Sequence, residues 1–155
     1  MDTIEEFRYL VLAAQREGNR ALAGALKPHD LTPSQAEAIA VLRDAQRPLT
    51  VREIGDRLVC EGGSPSRLMS TLVRKELVSS SPDPSDARAT LHSLTPLGSQ
   101  TAAAVSQVEQ DLYAWLETAV DASGLDSILP VLRALVGPLP TGQALERRIS
   151  DKAAR

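Results

Sequence analysis

Cysteine occurs once in this chain, at Cys60, and aromatic side chains make up only 3% of its 155 residues. One thiol forms no intrachain disulfide. With only His29 and His92 beside it, it supplies too few ligands for a zinc site. Neither a phosphate-cradling glycine loop nor a nucleophile elbow is present, so no catalytic residue, metal or cofactor is expected, and the chain does not read as an enzyme. Positive charge is short as well. The formal net charge is −3, which excludes a basic nucleic-acid coat but leaves room for a local basic surface. No run of about 18 apolar residues exists to span a membrane. The start, MDTIEEFRYLVLAAQ, is acidic and lacks the basic-then-apolar pattern of a signal peptide, so a reducing, cytoplasmic home is expected.

What the chain has in quantity is aliphatic. Hydrophobic residues reach 43% and charged residues 24%, enough to bury a core. With so few aromatics that core must be Leu, Val, Ile and Ala, which repeat readily at helical spacing. Ile4, Phe7, Leu10, Val11 and Ala14, continued by Leu22 and Leu26, predict a first helix over 3–26 that Pro28 stops. Thr32, Pro33 and Gln35 form a capping-box signal for a second helix to about Ala45, with Ala36, Ile39, Ala40 and Leu42 on its apolar face. Thr50 and Glu53 repeat the signal for a third helix, with Val51, Ile54, Leu58 and Val59 facing inward. Two glycines in CEGG then allow a sharp turn.

The fourth helix ends near Glu76. Ser64 and Pro65 read as its N-cap and first turn, and a start near Glu61 is the other reading. Leu68, Met69, Leu72 and Leu77 take the buried side. Ser66, Arg67, Ser70, Thr71 and Arg74 take the outer side, with no acid between Ser64 and Lys75. A short, polar, basic face suits base edges and phosphates, although alone it also fits a solvated helix. LVSSS follows as a strand, PDPSDA as a turn or loop, and RATLHSLT as the returning strand, with His92 in or beside the polar wing. Arg88 near the tip can reach a minor groove or a phosphate. Asp83 and Asp86 would accept hydrogen bonds from loop amides or hold an arginine. The stretch Leu49–Thr95 is thus predicted to be a winged helix-turn-helix that binds DNA.

Thr95 and Pro96 open a fifth helix to about Val120, striped by Ala102, Val105, Val108, Leu112, Trp115 or Leu116, and Ala119. Leu125, Ile128, Leu129, Leu132, Leu135 and Val136 predict a sixth, with Pro130 near its first turn. GPLPTG reads as a flexible or extended linker, and Ala144–Ala154 as a last helix or a fraying end. The apolar faces at both ends exceed what so small a subunit covers alone. Residues 1–30 and 99–155 are therefore expected to form a helical dimerisation region, and 31–98 the DNA-binding region. The expected fold is mainly α with a small β-hairpin wing.

The pieces LTPSQAEAIAVL, LTVREIGDRL, SRLMSTLVRKELV, DPSDAR and LTPLGSQ resemble the multiple-antibiotic-resistance regulator (MarR) family of bacterial winged-helix repressors. The most specific part is Asp83, Asp86 and Arg88 followed by Leu94, Thr95 and Gly98. The resemblance is close over residues 31–100 and holds in pattern only for the end helices. It implies a ligand-responsive repressor that binds a pseudo-palindromic double-stranded operator as a homodimer. Ser64, Pro65, Ser66, Arg67, Ser70, Thr71, Arg74 and Lys75 would then belong to a helix in the major groove, and Arg88 to a wing in the minor groove. Release by a small aromatic or phenolic effector, or by thiol oxidation, is also implied, with a pocket between the dimer helices and the reading head.

Three departures stand out. Glu76 occupies the family's usual glycine, so the exit from the fourth helix is expected to be made differently. Ala87 replaces an arginine, and Ser64-Pro65-Ser66 comes three residues late, with Glu61-Gly62-Gly63 in its place. Two alternatives remain beside the ligand-responsive repressor. One is a thiol-oxidation sensor using Cys60, which the neighbouring Asp56 and Glu61 oppose by raising a thiol pKa. The other is a winged helix used for protein–protein contact, which would not need Arg67, Arg74 and Arg88 to point one way.

Overall fold

The computed structural model describes residues 2–60 and 63–153. Among the described residues seven α-helices and three strands follow one another: α1 Thr3–Leu26, α2 Pro33–Ala45, β1 Leu49–Thr50, α3 Val51–Gly55, α4 Pro65–Arg74, β2 Val78–Asp83, β3 Asp86–Leu94, α5 Pro96–Ala119, α6 Ala122–Val136 and α7 Pro140–Ala153. The fold is the expected one, mostly helical with a small antiparallel wing.

Both capping boxes form. At α2 the Gln35 amide donates to Thr32 Oγ1 (3.3 Å) and the Thr32 amide donates to Gln35 Oε1 (3.1 Å). At α3 the Glu53 amide donates to Thr50 Oγ1 (3.2 Å) and the Thr50 amide to Glu53 Oε2 (2.9 Å). Each pair satisfies backbone donors that a helix start would otherwise leave open. The Arg47 guanidinium beside Glu53, joined by these Thr50 contacts, holds the Glu53 carboxyl down at about 2. α3 is shorter than its apolar spacing suggests. After Gly55 the chain tightens into three-residue turns, Arg57 N to Ile54 O and Leu58 N to Gly55 O. Helical spacing ends there. Val59, expected to face inward, is consequently exposed, while Leu58 still packs on the core.

α2 runs through the centre of the winged unit. Ala36 to Leu42 are buried without a break, among Leu26, Leu49, Ile54, Met69, Leu72 and Val105. β1 was not foreseen. It is two residues long and pairs with β3, Leu49 opposite His92 and Thr50 opposite Leu91, so the wing is a three-stranded sheet in the order β1-β3-β2. This pairing puts His92 in the middle of the wing sheet, on the strand where it was expected, but buried and not among polar surroundings.

The exit from α4 is not made differently. Glu76 itself takes the left-handed conformation at φ 58° that glycine usually supplies. Its amide reaches Val73 O (2.9 Å) and the Leu77 amide reaches Leu72 O (3.1 Å), closing a Schellman cap over the last turn.

α5 divides along its length. Ala102 and Val105 are buried against the core and Val108 partly so, but Trp115 is 57% exposed and Leu116 42%. α6 begins at Ala122 because Asp121 caps it, its carboxylate accepting from the Gly124 amide (2.7 Å). That start lies earlier than the leucine pattern implies, and it puts Pro130 inside the helix and not near its first turn. No residue of α6 is buried. GPLPTG is not an extended linker but a tight turn that runs into a helix. Pro140 opens α7, and Gly142 lies so close to the end of α6 that a Cβ there would sit 2.1 Å from Val136 O.

Candidate nucleic-acid interface

α4 is built to show one polar face. Leu68, Met69 and Leu72 are buried on its inner side. Ser64, Ser66, Arg67, Ser70 and Arg74 are exposed, and Pro65, Thr71 and Lys75 are half-buried. Ser64 is the N-cap, with Pro65 in the first turn, and its side chain makes no capping hydrogen bond. Gly63 precedes it at φ 77°, a conformation open to glycine. The alternative start near Glu61 falls on Glu61 and Gly62, which lie outside the described residues.

The hydroxyls on the outer face are tied along the helix. Ser70 Oγ donates to Ser66 O (2.8 Å), and Thr71 Oγ1 donates to Arg67 O (3.0 Å) while accepting from Arg74 Nη2 (3.1 Å). Among the described residues no carboxylate pairs with Arg67, Arg74 or Arg88. Lys75 differs. Its ammonium donates to the Asp30 carboxylate (2.6 Å) and to the Asp30 carbonyl, so it joins α4 to the α1–α2 connector.

The wing presents its arginine through an irregular ladder. Pro82 pairs with Thr90, but the next partners are Asp83 and Asp86, so β3 carries residues 87–89 without opposite numbers on β2. Arg88 falls in that excess and is exposed. Such bulges re-aim side chains at a sheet rim. The two aspartates serve the turn. Asp83 Oδ1 accepts from the Ser85 amide (2.8 Å) and hydroxyl (2.7 Å), which hold its carboxyl below the usual range, and Asp86 Oδ1 accepts from the Arg88 amide (2.9 Å). Of the two roles expected for them, binding loop amides is the one seen; neither forms an ion pair with the Arg88 guanidinium.

Sequence reasoning missed a set of contacts behind α4. The buried Glu37 of α2 accepts from the Val59 and Cys60 amides, just ahead of α4, and from Arg148 of α7. Beside it lies a cavity of about 130 Å³, lined by Leu26, Ala36, Glu37, Val105, Tyr113 and Arg148 among others. Cys60 borders this cavity, half-buried, and burial together with the Glu37 carboxylate pushes its thiol up to about 11. Among the described residues no three His, Cys, Asp or Glu side chains cluster as a metal would require, and no helix is long and apolar enough to cross a membrane.

A family profile for the winged helix DNA-binding domain matches residues 31–98. A cysteine-to-serine variant of MarR from E. coli, crystallised with operator DNA, is 26% identical, with 88% of this chain and 99% of that one covered at a TM-score of 0.76. MepR from S. aureus, in complex with DNA, is 22% identical over 86% and 98% of the two chains at a TM-score of 0.79. BpsR from Bordetella bronchiseptica, whose DNA binding is regulated by 6-hydroxynicotinic acid, is 18% identical over 84% and 98% at a TM-score of 0.72. The last two likenesses concern the fold alone. Among curated proteins none matches this sequence.

Proposed function

We propose that this chain is a winged-helix transcription regulator of the MarR family that binds a pseudo-palindromic operator as a homodimer and represses transcription until a small aromatic anion releases it, a reading supported by the winged-helix DNA-binding match over residues 31–98 and by the likeness to E. coli MarR. The carrying observation is the exposed, acid-free outer face of α4 together with the exposed wing residue Arg88, with no carboxylate paired to Arg67, Arg74 or Arg88 among the described residues. Positive charge left unneutralised on two elements of one reading head suits a polyanion. Ser66, Arg67 and Ser70 are assigned to base edges, with Ser64, Pro65, Thr71 and Lys75 flanking them. Arg74 is assigned to a phosphate and Arg88 to the minor groove.

The homodimer is supported by apolar surface that the subunit does not cover. Ile4 and Leu10 of α1, Trp115 of α5, and Val131 and Leu135 of α6 are each more than half exposed. Large apolar side chains left exposed on three helices suit an association surface. Two reading heads joined through it would address half-sites about one helical turn, ~34 Å, apart. The effector is supported by the cavity beside Tyr113 and Arg148. Its volume, about 130 Å³, is near that of engineered cavities of ~150 Å³ that admit benzene.

Selection from a pool of random DNA duplexes tests this reading. The expected outcome is enrichment of an inverted repeat, bound by two chains, with affinity that falls steeply as salt rises. Enrichment of no sequence, or binding indifferent to salt, overturns it and favours the protein-contact use of the same fold.

A further inference from the structure

Glu37 sits in the buried middle of α2, and three donors from two distant parts of the chain converge on its carboxylate. Oε1 accepts from the Val59 amide at 2.9 Å and from Arg148 Nη1 at 2.8 Å, and Oε2 accepts from the Cys60 amide at 2.8 Å. Val59 and Cys60 belong to the turn that delivers the chain into α4. Arg148 belongs to α7, nearly at the other end of the sequence. Two more contacts bring α7 to the same turn: Arg57 Nε donates to Asp151 Oδ2 (2.7 Å), and Arg147 Nη1 donates to the Asp56 carbonyl (3.0 Å). Both are direct. Only the Arg148 contact passes through a buried side chain of the core helix.

We propose that Glu37 and Arg148 are positioning residues for DNA reading: through the Glu37 carboxylate, α7 holds the Val59–Cys60 turn and thereby sets where α4 stands against the groove. The inference rests on the DNA-reading role proposed above. A carboxylate that accepts from amides and a guanidinium together makes strong, charge-assisted bonds. Inside a protein such a network depends on every member. With Arg148 withdrawn, Glu37 keeps the two amides only by carrying an uncompensated buried charge, which is strongly unfavourable. It turns toward solvent instead, and the Val59 and Cys60 amides lose their acceptor. α4 itself loses no contact to DNA, but the turn ahead of it no longer has one position.

The test uses the full chain, the duplex enriched in the selection above, and four variants: Arg148→Met, Arg148→Lys, Glu37→Gln and the double variant Arg148→Met with Glu37→Gln. Arg148→Met keeps the length and packing of the side chain and removes its charge. Its affinity for the duplex is expected to fall about tenfold, within the range for coupling between separated sites. Amide hydrogen exchange at Val59 and Cys60 is expected to speed up while α2 and α5 keep their protection. Arg148→Lys restores most of both. In the Glu37→Gln background, Arg148→Met costs nothing further, because both act on one joint. Wild-type affinity in Arg148→Met overturns the proposal. So does a loss that simply adds to that of Glu37→Gln, which means packing, or a loss of protection spread evenly over α2 and α5, which means general instability. A wild-type chain that binds no duplex overturns the DNA reading itself, an outcome distinct from all of these.

Discussion

Gly98 stands so close to the Leu77 carbonyl that a Cβ at residue 98 would lie 1.9 Å from its oxygen. The same carbonyl accepts from the Thr95 amide (3.1 Å), and Thr95 Oγ1 donates to Glu76 O (2.7 Å) while accepting from the Gly98 amide (2.9 Å). The first turn of α5 is thus laced to the exit of α4. Only a residue without a side chain fits there. Gly98→Ala is expected to destabilise the fold by about 1–3 kcal/mol or more, since the obstacle is backbone and cannot swing aside. Urea unfolding measures it, with Ser99→Ala on the exposed side of the same turn as a near-neutral control. A Gly98→Ala chain as stable as the parent would contradict this packing.

Glu76 offers the opposite change. A side chain in the left-handed region costs roughly 1–2 kcal/mol relative to glycine, less the extra freedom that glycine has when unfolded. Its side chain is exposed and its backbone already makes the Schellman bonds. Glu76→Gly is therefore expected to stabilise the chain by about 1 kcal/mol, with Glu76→Asn in between. Thermal melts at fixed chain concentration would test this. A fall in melting temperature would mean that the carboxylate has a role the structure does not reveal.

His92 makes stability depend on pH. It is 6% exposed, Nδ1 has no hydrogen-bond partner among the described residues, and burial holds its pKa below the ordinary 6.5. The unfolded chain then binds a proton more readily than the folded one, so stability rises with pH across that window. It is fully present above about 6.5 and is lost as pH falls through that value toward the lower folded pKa. The urea midpoint is expected to drop between pH 7.5 and pH 5.5. His92→Leu, which leaves no buried polar atom behind, should flatten that drop. An equal pH slope in the His92 variant would assign the effect elsewhere.

Local signals were legible in the sequence and long-range ones were not. Thr32 with Gln35 and Thr50 with Glu53 sit three residues apart, and the geometry that joins them is set by the first helical turn alone. The outer face of α4 follows from period 3.6 once Leu68 and Leu72 are inward. His92 shares its strand face with Leu94, which hinted at burial, but β1 is two residues long and gives no pattern of its own. Arg148 and Glu37 are 111 residues apart. Nothing near either predicts the other, because a buried ion pair is chosen by the fold that surrounds it. Pro130 misled for a related reason: its place depends on the Asp121 cap, whose signal is weaker than the leucines that follow.

Cys60 is expected to be unreactive. With its thiol pushed up to about 11, by burial first and then by Glu37, thiolate is scarce at neutral pH. A disulfide reagent such as Ellman's should react with it about tenfold or more slowly than with free cysteine at pH 7.5. Operator affinity should survive mild peroxide, and Cys60→Ser should bind as the parent does. Fast labelling that abolishes DNA binding would restore the thiol switch.

The arginines of the reading head are separable by salt and by sequence. Each phosphate contact contributes about 0.9 to the slope of log affinity against log salt, so Arg74→Ala is expected to lower that slope by ~1 and weaken all duplexes alike. Arg67→Ala should instead change which base is preferred at one position in each half-site, costing about 1–3 kcal/mol on the best sequence and less on others. Arg88→Ala should relax the preference for A·T pairs flanking the half-sites, because a narrow minor groove attracts an inserted arginine. Lys75→Ala is expected to alter the slope less than Arg74→Ala, since its charge is already engaged by Asp30. Arg20→Ala supplies the control, an exposed α1 residue paired with Glu17 and far in sequence from the reading head. If Arg67, Arg74 and Arg88 variants all match the Arg20 control in slope and in selected sequence, the outer face of α4 and the wing do not read DNA, and the surface that does must be sought elsewhere on the chain.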